Sequence, residues 1–461
     1  MEQTLTSFLI TLLQLFFISF LIQDVEGNIG VNYGTVADNL PPPSKVAHFL
    51  LDSTIINRVK LYDANQQILQ AFAHTGIAIT VGVPNNLIPY LANINFSQQW
   101  IKNNISPHIP ATNIVRIVVG NEVLSTTDTS VSSYLVPAMQ TLHAALVQAD
   151  LDRKIKVSTP HSLGILSSSS PPSSGKFKEK NVPLIKQLLG FLRATGSSFM
   201  INPYPFFGYS GDTLNYAMFR PNSGVFDQVT NKKYTNMLDA QLDATYTAMK
   251  QVGFEDVEIV IAETGWPSKG DPGQGGVDME SAREFNGKLI KHVMSGQGTP
   301  LMPNKSFETY IFALFNENLK PGPTSERNFG LFNHDMTPVY NVGIFRHSVE
   351  TTSPSYGDPV KGVPTRSPVA KTDEQKTWCV PKTRASEEVL QANIDYVCGL
   401  GFDCQPIREG GRCFYPDSVH AHAAYAMNVY YQATGRHDYD CDFSRTGLIT
   451  SSNPSYGRCK Y

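Results

Sequence analysis

The feature that most restricts the fold is a repeat of short apolar runs, separated by longer segments able to form amphipathic helices. There are eight runs: Ile29–Tyr33, Arg58–Tyr62, Ala78–Val83, Ile114–Val119, Ile155–Thr159, Phe199–Asn202, Glu258–Ala262 and Thr309–Phe315. Nearly continuous apolar runs are typical of parallel strands buried on both faces. Eight of them with helices between predict a (β/α)8 TIM barrel. The alternative is an open doubly wound sheet, but no Gly-x-Gly-x-x-Gly dinucleotide fingerprint follows the first run.

The cysteines divide the chain. All six lie between Cys379 and Cys459, and none forms a Cys-x-x-Cys pair of the kind common in zinc sites. We therefore expect the barrel over residues 28–345, a flexible Ser, Thr and Pro-containing linker over 346–376, and a small disulfide-stapled module over 377–461. The sequence alone allows fifteen pairings of six cysteines.

The N-terminal segment is predicted to be a signal peptide. Residues from Phe8 to Ile22 are nearly all apolar, which is short for a membrane span and typical of the core of a secretory signal. Cleavage is expected near Gly27, which would remove residues 1–27; a membrane anchor is the alternative. Three sequons are candidate glycosylation sites: Asn95, Asn104 and Asn304.

These signals predict a secreted monomer in the extracellular space or cell wall, with the vacuole as a further destination. No apolar tail follows the last cysteine, so we expect no membrane anchor at that end. The formal net charge of −3 argues against a nucleic-acid partner, because binding phosphates calls for a basic surface. The eleven histidines show no His-Glu-x-x-His pattern, and we expect neither metal nor cofactor.

Two glutamates follow apolar runs at the positions where a barrel carries its catalytic groups. Glu122 follows the fourth run and Glu263 follows the seventh, at the carboxyl ends of the predicted strands. Glycoside hydrolysis needs two carboxyl groups, one to protonate the leaving oxygen and one to attack or to activate water. Glu317 and Glu326 compete for these roles, and a cap or a salt bridge is the simpler interpretation of any one glutamate.

Six motifs carry a family resemblance. They are IGVNYG at 29–34, VGNE at 119–122, NPYP at 202–205, ETGWPS at 263–268, FALFNEN at 312–318 and FGLF at 329–332. Together they resemble the plant β-1,3-glucanases of glycoside hydrolase family 17. The resemblance implies a retaining enzyme in which Glu122 is the acid/base and Glu263 the nucleophile.

The same resemblance implies roles for the residues around the two carboxylates. Glu317, Lys320 and Glu326 would form a supporting cluster near the nucleophile. The residues expected to contact the sugar are Tyr33, Asn121, Tyr204, Phe207 and Phe329. Trp266 is either a sugar platform or a packing residue.

The C-terminal segment resembles the plant carbohydrate-binding module of family 43, through Trp378-Cys379-Val380, Cys413-Phe414-Tyr415-Pro416 and the six-cysteine spacing. The resemblance implies the disulfides Cys379–Cys441, Cys398–Cys404 and Cys413–Cys459, and β-1,3-glucan as the ligand. A stapled domain without sugar affinity is the alternative.

We therefore expect an endo-hydrolase of β-1,3-glucan. Three alternatives stay open at this point: a mixed-linkage β-1,3-1,4-glucanase, a β-1,3-glucan transglycosylase, and a catalytically silent glucan-binding wall protein.

Overall fold

The computed structural model describes residues 29–125, 130–346, 377–399, 402–433, 436, 441, 443 and 446–461. They belong to two compact units, one on each side of the gap between 346 and 377. The expected signal peptide and nearly all of the expected linker lie outside the described residues.

The first unit is built on one parallel sheet that closes on itself. Its strands are Ile29–Tyr33, Arg58–Leu61, Ala78–Val83, Ile114–Val119, Lys156–Ser158, Pro160–Ser162, Phe199–Asn202, Ile259–Thr264 and Thr309–Ile311. Lys156–Ser158 pairs with the fourth strand and Pro160–Ser162 pairs with Phe199–Asn202, so the two pieces are one barrel strand interrupted at Thr159. The ring therefore has eight strand positions, and the prediction of a (β/α)8 barrel is confirmed.

Four strands differ from the sequence prediction. The second ends one residue earlier, at Leu61, and the seventh runs over Ile259–Thr264, so that it includes Glu263. The fifth and the eighth differ more. The fifth is broken at Thr159, as described above. The eighth ends at Ile311, four residues earlier than expected. Beyond it the backbone bonds both to the neighbouring strands and to a loop. Phe312 N–H donates to the carbonyl of Thr264 at 2.8 Å and Leu314 N–H to that of Asn32 at 2.9 Å. On the other side, Ala313 N–H donates to the carbonyl of Phe329 and Phe332 N–H to that of Leu314, both at 3.0 Å. The apolar run continues because this segment is buried under the loop.

Helices surround the ring. In the first unit they are Pro43–Ser53, Gln66–Ala71, Ile88–Leu91, Ile94–Asn104, Leu135–Gln148, Val182–Thr195, Pro205–Gly208, Leu214–Ala217, Met237–Gln251 and Met279–Met294. At the start of several helices, the side chain of the residue before the helix accepts a hydrogen bond from a backbone N–H of the first turn. Asn236 accepts a bond from Asp239 N–H, and Asp278 accepts one from Ser281 N–H, which satisfies backbone donors of the first turn. Short strand pairs, Leu166–Ser168 with Lys176–Phe177 and Val225–Asp227 with Lys232–Tyr234, lie outside the ring.

Polar and apolar groups share the interior of the barrel. A separate apolar cluster contains Val118, Met200, Val260, Ala262 and Tyr310, all from barrel strands. Toward the amino end of the strands, Arg116 pairs with Glu308 at 2.6 Å. Nearer the opposite end, Lys60 pairs with Glu263. The second ion pair therefore lies on the side of the barrel where catalytic groups are expected.

The second unit is a small cystine-rich fold. Strands Trp378–Pro381 and Gly447–Thr450 pair antiparallel, and helices Glu387–Gly399 and Val419–Ala433 pack together. Its disulfides join Cys379 to Cys441, Cys398 to Cys404 and Cys413 to Cys459, which are the pairs that the resemblance implied. Four of these cysteines are core residues with less than 3 % exposure, so the bridges replace part of an apolar core.

The described helices include none that is both long and apolar enough to cross a membrane. The sequon asparagines differ in environment. Asn95 and Asn304 are exposed, whereas Asn104 is half-buried and its Nδ2 donates to the carbonyl of Trp100 at 2.9 Å.

Candidate active site

Glu263 is the penultimate residue of the seventh barrel strand and lies among three hydrogen-bond donors. Lys60 Nζ donates to its Oε1 at 2.9 Å, Tyr62 Oη donates to the same oxygen at 2.7 Å, and Tyr204 Oη donates to Oε2 at 3.1 Å. Lys60 and Tyr62 come from the end of the second strand and the residue after it, and Tyr204 follows the sixth. Three donors from the ends of two other strands therefore converge on one carboxyl group.

Lys60 connects Glu263 to the first strand, because its Nζ also donates to Asn32 Oδ1 at 3.1 Å. Burial lowers the pKa of Lys60, while the carboxylate of Glu263 opposes that shift. Burial and the same carboxylate raise the pKa values of Tyr62 and Tyr204 well above the ordinary tyrosine range, so both hydroxyls stay protonated and act as donors.

Glu122 follows the fourth barrel strand in a different environment. Its carboxyl Oε1 accepts one side-chain bond, from Asn202 Nδ2 at 2.7 Å. Burial raises the pKa of Glu122, the negative charge of Glu263 raises it further, and the bond from Asn202 opposes the shift. A carboxyl group with a raised pKa is suited to carry a proton to a leaving group.

The backbone before Glu122 is held in an unusual conformation. Glu122 has a φ of 52° and Gly120 a φ of 71°, both in the left-handed region. Asn121 lies between them, and the Asn85 side chain hydrogen-bonds to both of its backbone groups. Asn85 Oδ1 accepts from Asn121 N–H at 2.7 Å, and Asn85 Nδ2 donates to the Asn121 carbonyl at 3.0 Å. Glu122 N–H donates to the carbonyl of Pro160 at 2.9 Å. These bonds offset the cost of the left-handed conformation.

A cavity of about 270 Å³ contains both carboxyl groups. Its lining residues are Asn121, Glu122, Tyr204, Phe207, Glu263, Phe312, Lys320, Glu326 and Phe329. Phe207 is 64 % exposed and offers a ring face to a ligand, whereas Phe329 is only 2 % exposed and packs on Phe312 and Tyr204. Four of the five residues expected to contact the sugar therefore line one cavity.

Tyr33 is the exception. It is 2 % exposed, packs edge-on against Phe315 and does not line the cavity that contains the two carboxyl groups. Side chains alternate along a strand, and its neighbour Asn32 already points toward Lys60 and Glu263. Tyr33 therefore faces the surrounding layer, and the expected contact with the sugar differs from the structure.

The three residues of the expected supporting cluster lie close together, since the charges of Lys320 and Glu326 both act on the pKa of Glu317, but their direct contacts differ. Lys320 Nζ lies 3.2 Å from Glu326 Oε2 and 4.2 Å from the centre of the Phe312 ring, so this pair forms part of the cavity wall. Glu317 is 4 % exposed and its Oε1 accepts from Val36 N–H at 2.9 Å. A Cβ on Gly34 would lie 2.3 Å from that oxygen, so the close approach requires glycine there. Glu317 thus anchors the loop after the first strand.

Trp266 is fully buried, and its Nε1 donates to the carbonyl of Gly276 at 2.8 Å, so the packing alternative applies. Sequence reasoning missed Lys60, Tyr62, Asn85 and Asn202 as functional residues. A usable signal existed for Lys60, since a lysine inside an apolar strand is buried only when it is paired.

The geometry defines a chemical class. Two carboxyl groups from opposite sides of a barrel mouth face one cavity; one is surrounded by donors and the other has a raised pKa. This division suits acid-assisted displacement at a sugar carbon. No group of three or more His, Cys, Asp or Glu side chains in the described part of the chain could hold a metal ion. The barrel and site are those of a glycoside hydrolase.

The chain belongs to glycosyl hydrolases family 17, whose model matches residues 29–344. Residues 377–448 match the X8 domain. This domain is the family 43 carbohydrate-binding module that the six-cysteine segment resembles.

Similar proteins cover nearly the whole chain. A glucan endo-1,3-beta-glucosidase of Triticum aestivum is 50 % identical over 94 % of each chain, and a glucan endo-1,3-beta-D-glucosidase of Olea europaea is 45 % identical over 99 % of this chain and 98 % of its own. Among solved structures, CJP38, described as a beta-1,3-glucanase and allergen of Cryptomeria japonica pollen, is 43 % identical with a TM-score of 0.66. The match covers 69 % of this chain and all of that one.

Proposed function

We propose that this protein is a secreted, retaining endo-hydrolase of internal β-1,3-glucosidic bonds, with Glu122 as acid/base and Glu263 as nucleophile. The observation that carries the division of roles is the contrast in donors. Glu263 is surrounded by Lys60, Tyr62 and Tyr204, which stabilise negative charge, whereas Glu122 is held by one amide and has a raised pKa. Two relatives that match nearly the whole chain are glucan endo-1,3-beta-glucosidases, which supports β-1,3-glucan as the substrate.

The reaction proceeds in two steps. Glu263 attacks the anomeric carbon and forms an ester bond to it, while the glycosidic bond breaks and Glu122 gives its proton to the leaving oxygen. Glu122, now a carboxylate, takes a proton from water as the water oxygen attacks the same carbon. The ester bond breaks and Glu263 is released. Two displacements retain the configuration, and this route requires carboxyl groups about 5–5.5 Å apart.

The segments outside the barrel serve binding and export in this proposal. The X8 unit binds the glucan, and its tether raises the concentration of substrate near the barrel. The N-terminal segment directs export, and the protein acts as a monomer outside the cell.

The test measures reducing-end release from laminarin and from mixed-linkage glucan, with the anomer formed first identified by NMR. We expect laminarin to be preferred and the β-anomer to appear first. Preference for mixed-linkage glucan would overturn the assigned substrate, and the α-anomer would overturn the retaining mechanism.

Variants separate the two roles. We expect Glu263→Gln to abolish turnover of both laminarin and β-laminaribiosyl fluoride. Glu122→Gln should lose laminarin hydrolysis but keep attack on the fluoride, because fluoride leaves without a proton. The exposed Glu255 supplies the control, and Glu255→Gln should behave as wild type. The comparison uses kcat/KM, which on the fluoride reports the attack and not the later step that needs a base. Equal loss of kcat/KM on both substrates in Glu122→Gln would refute its role as acid.

A further inference from the structure

A second cavity lies beside Glu122, separate from the one that both carboxyl groups share. It has a volume of about 350 Å³ and is lined by Glu122, Ser162, Leu163, Gly164, Ser169, Asn202, Tyr204, Phe207, Gly208 and Gln241. Glu263 does not line it. Glu122, Tyr204 and Phe207 line both cavities, so the two are neighbours that share a wall.

The position of this cavity identifies the part of a substrate that it would hold. This step rests on the proposed function. The sugar that is attacked lies between Glu122 and Glu263, and the acid protonates the oxygen that joins it to the departing sugar. That departing sugar must lie beside the acid and beyond the site of attack, and the second cavity is lined by Glu122 but not by Glu263.

Gln241 carries the observation that points to a ligand. It is 9 % exposed, lies on helix Met237–Gln251 and lines the cavity. Its Nε2 donates to the carbonyl of Tyr204 at 3.3 Å, which orients the amide. Its Oε1 is buried and has no hydrogen-bond partner among the described residues. A buried acceptor without a donor is costly, and a sugar hydroxyl entering the cavity would satisfy it.

We propose that Gln241 Oε1 accepts a hydrogen bond from a hydroxyl of the departing glucose, and that Phe207 provides the apolar surface on which this glucose packs. A site that pairs a buried acceptor with a substrate hydroxyl discriminates against ligands that lack it. Gln241 therefore contributes to the selection of the leaving-group sugar. Lys60, Tyr62 and Tyr204 instead donate to Glu263, which attacks the other sugar.

Gln241→Met tests this assignment, since it keeps the length of the side chain and removes the acceptor. Two substrates are compared by kcat/KM, laminaritetraose and β-laminaribiosyl fluoride. The first places glucose in the cavity beside Glu122, and the second places only fluoride there. We expect kcat/KM to fall about 3- to 10-fold on laminaritetraose, the contribution of one neutral hydrogen bond, and to stay unchanged on the fluoride.

The control is Gln251→Met, at the exposed end of the same helix, which should match wild type on both substrates. Equal losses on both substrates in Gln241→Met would overturn the proposal, because the residue would then act by supporting Tyr204. An unchanged rate on laminaritetraose would overturn it as well. Inactivity of the wild type on both substrates would instead overturn the proposed function, and this assignment with it.

Discussion

Lys60 Nζ lies 2.9 Å from Glu263 Oε1, with the two side chains only 1 % and 8 % exposed. The pair joins two barrel strands that are 203 residues apart in the chain. Because both side chains are removed from water, their mutual attraction and the neutral donors around them must offset the cost of desolvation.

Removing the cation should therefore destabilise the protein strongly. We expect Lys60→Met to lower the free energy of unfolding by roughly 3–5 kcal/mol, since Glu263 would keep a buried charge without a counter-ion. Urea denaturation measures this change. Lys176→Met is the matched control, because Lys176 pairs with Glu179 on the surface and its loss should cost about 1 kcal/mol or less. Similar small costs for both variants would contradict the assigned importance of the buried pair.

The titration of Glu122 should respond in opposite directions to two neighbours. Glu263→Gln removes a negative charge that disfavours ionisation, so the pKa of Glu122 should fall. Asn202→Ala removes a donor that favours ionisation, so the pKa should rise and the basic limb of the pH profile on laminarin should move to higher pH. NMR titration of carbon-13-labelled glutamate checks the first shift. Shifts of the same sign in both variants would be inconsistent with this electrostatic arrangement.

Asn85 should act on the rate through the backbone that carries Glu122. Asn85→Ala leaves Asn121 N–H without its acceptor and releases a left-handed segment. We expect kcat on laminarin to fall about tenfold or more, because misplacement of an acid by fractions of an ångström is costly. The adjacent Asn86 is exposed, and Asn86→Ala should leave kcat unchanged. An increase in KM with an unchanged kcat in Asn85→Ala would argue against a positioning role.

The disulfides of the X8 unit should differ in their contribution to its stability. Cys379–Cys441 spans 62 residues and Cys398–Cys404 spans 6. In the chain-entropy model, replacing the first pair by serine costs roughly 4 kcal/mol and the second roughly 2 kcal/mol. Hydrogen exchange of peptides from 377–461, measured in the full chain, reports each change. The reverse order would show that native packing outweighs loop length here.

The three sequons should differ in occupancy. We expect glycans on the exposed Asn95 and Asn304 and a lower fraction on Asn104, whose Nδ2 already donates to Trp100 in the helix. Glycopeptide mass spectrometry of protein exported from plant cells measures the three fractions. A fully occupied Asn104 would indicate that modification precedes formation of this helix turn.

The sequence was sufficient for the barrel and for the position of its two carboxyl groups. Apolar runs mark buried strands, and a glutamate after such a run lies at the mouth by topology alone, which is how Glu122 and Glu263 were found. The position of Tyr33 was harder to predict, because successive side chains of a strand point to opposite faces of the sheet. Asn32 faces the site, and Tyr33, one residue later, faces the surrounding layer.

Contacts between distant segments could not be read from the sequence in the same way. Lys60 interrupts an apolar run, and its partner Glu263 is brought near only when the ring closes. Asn85 has no motif of its own, since its role is to pair with a peptide 36 residues later. The paired disulfides were anticipated only through resemblance, because spacing alone leaves fifteen arrangements.

The interruption at Thr159 has a consequence for rearranging the chain. Residues before it hydrogen-bond to one neighbouring strand and residues after it to another, so a single covalent link completes the ring. A circular permutant with new termini at this point would separate the two halves of that strand and free Pro160, whose carbonyl holds Glu122. New termini in the exposed turn of the Val225–Tyr234 hairpin would leave the ring continuous. The position of the cut, rather than the order of the segments, would then decide whether the permuted enzyme keeps its acid in place.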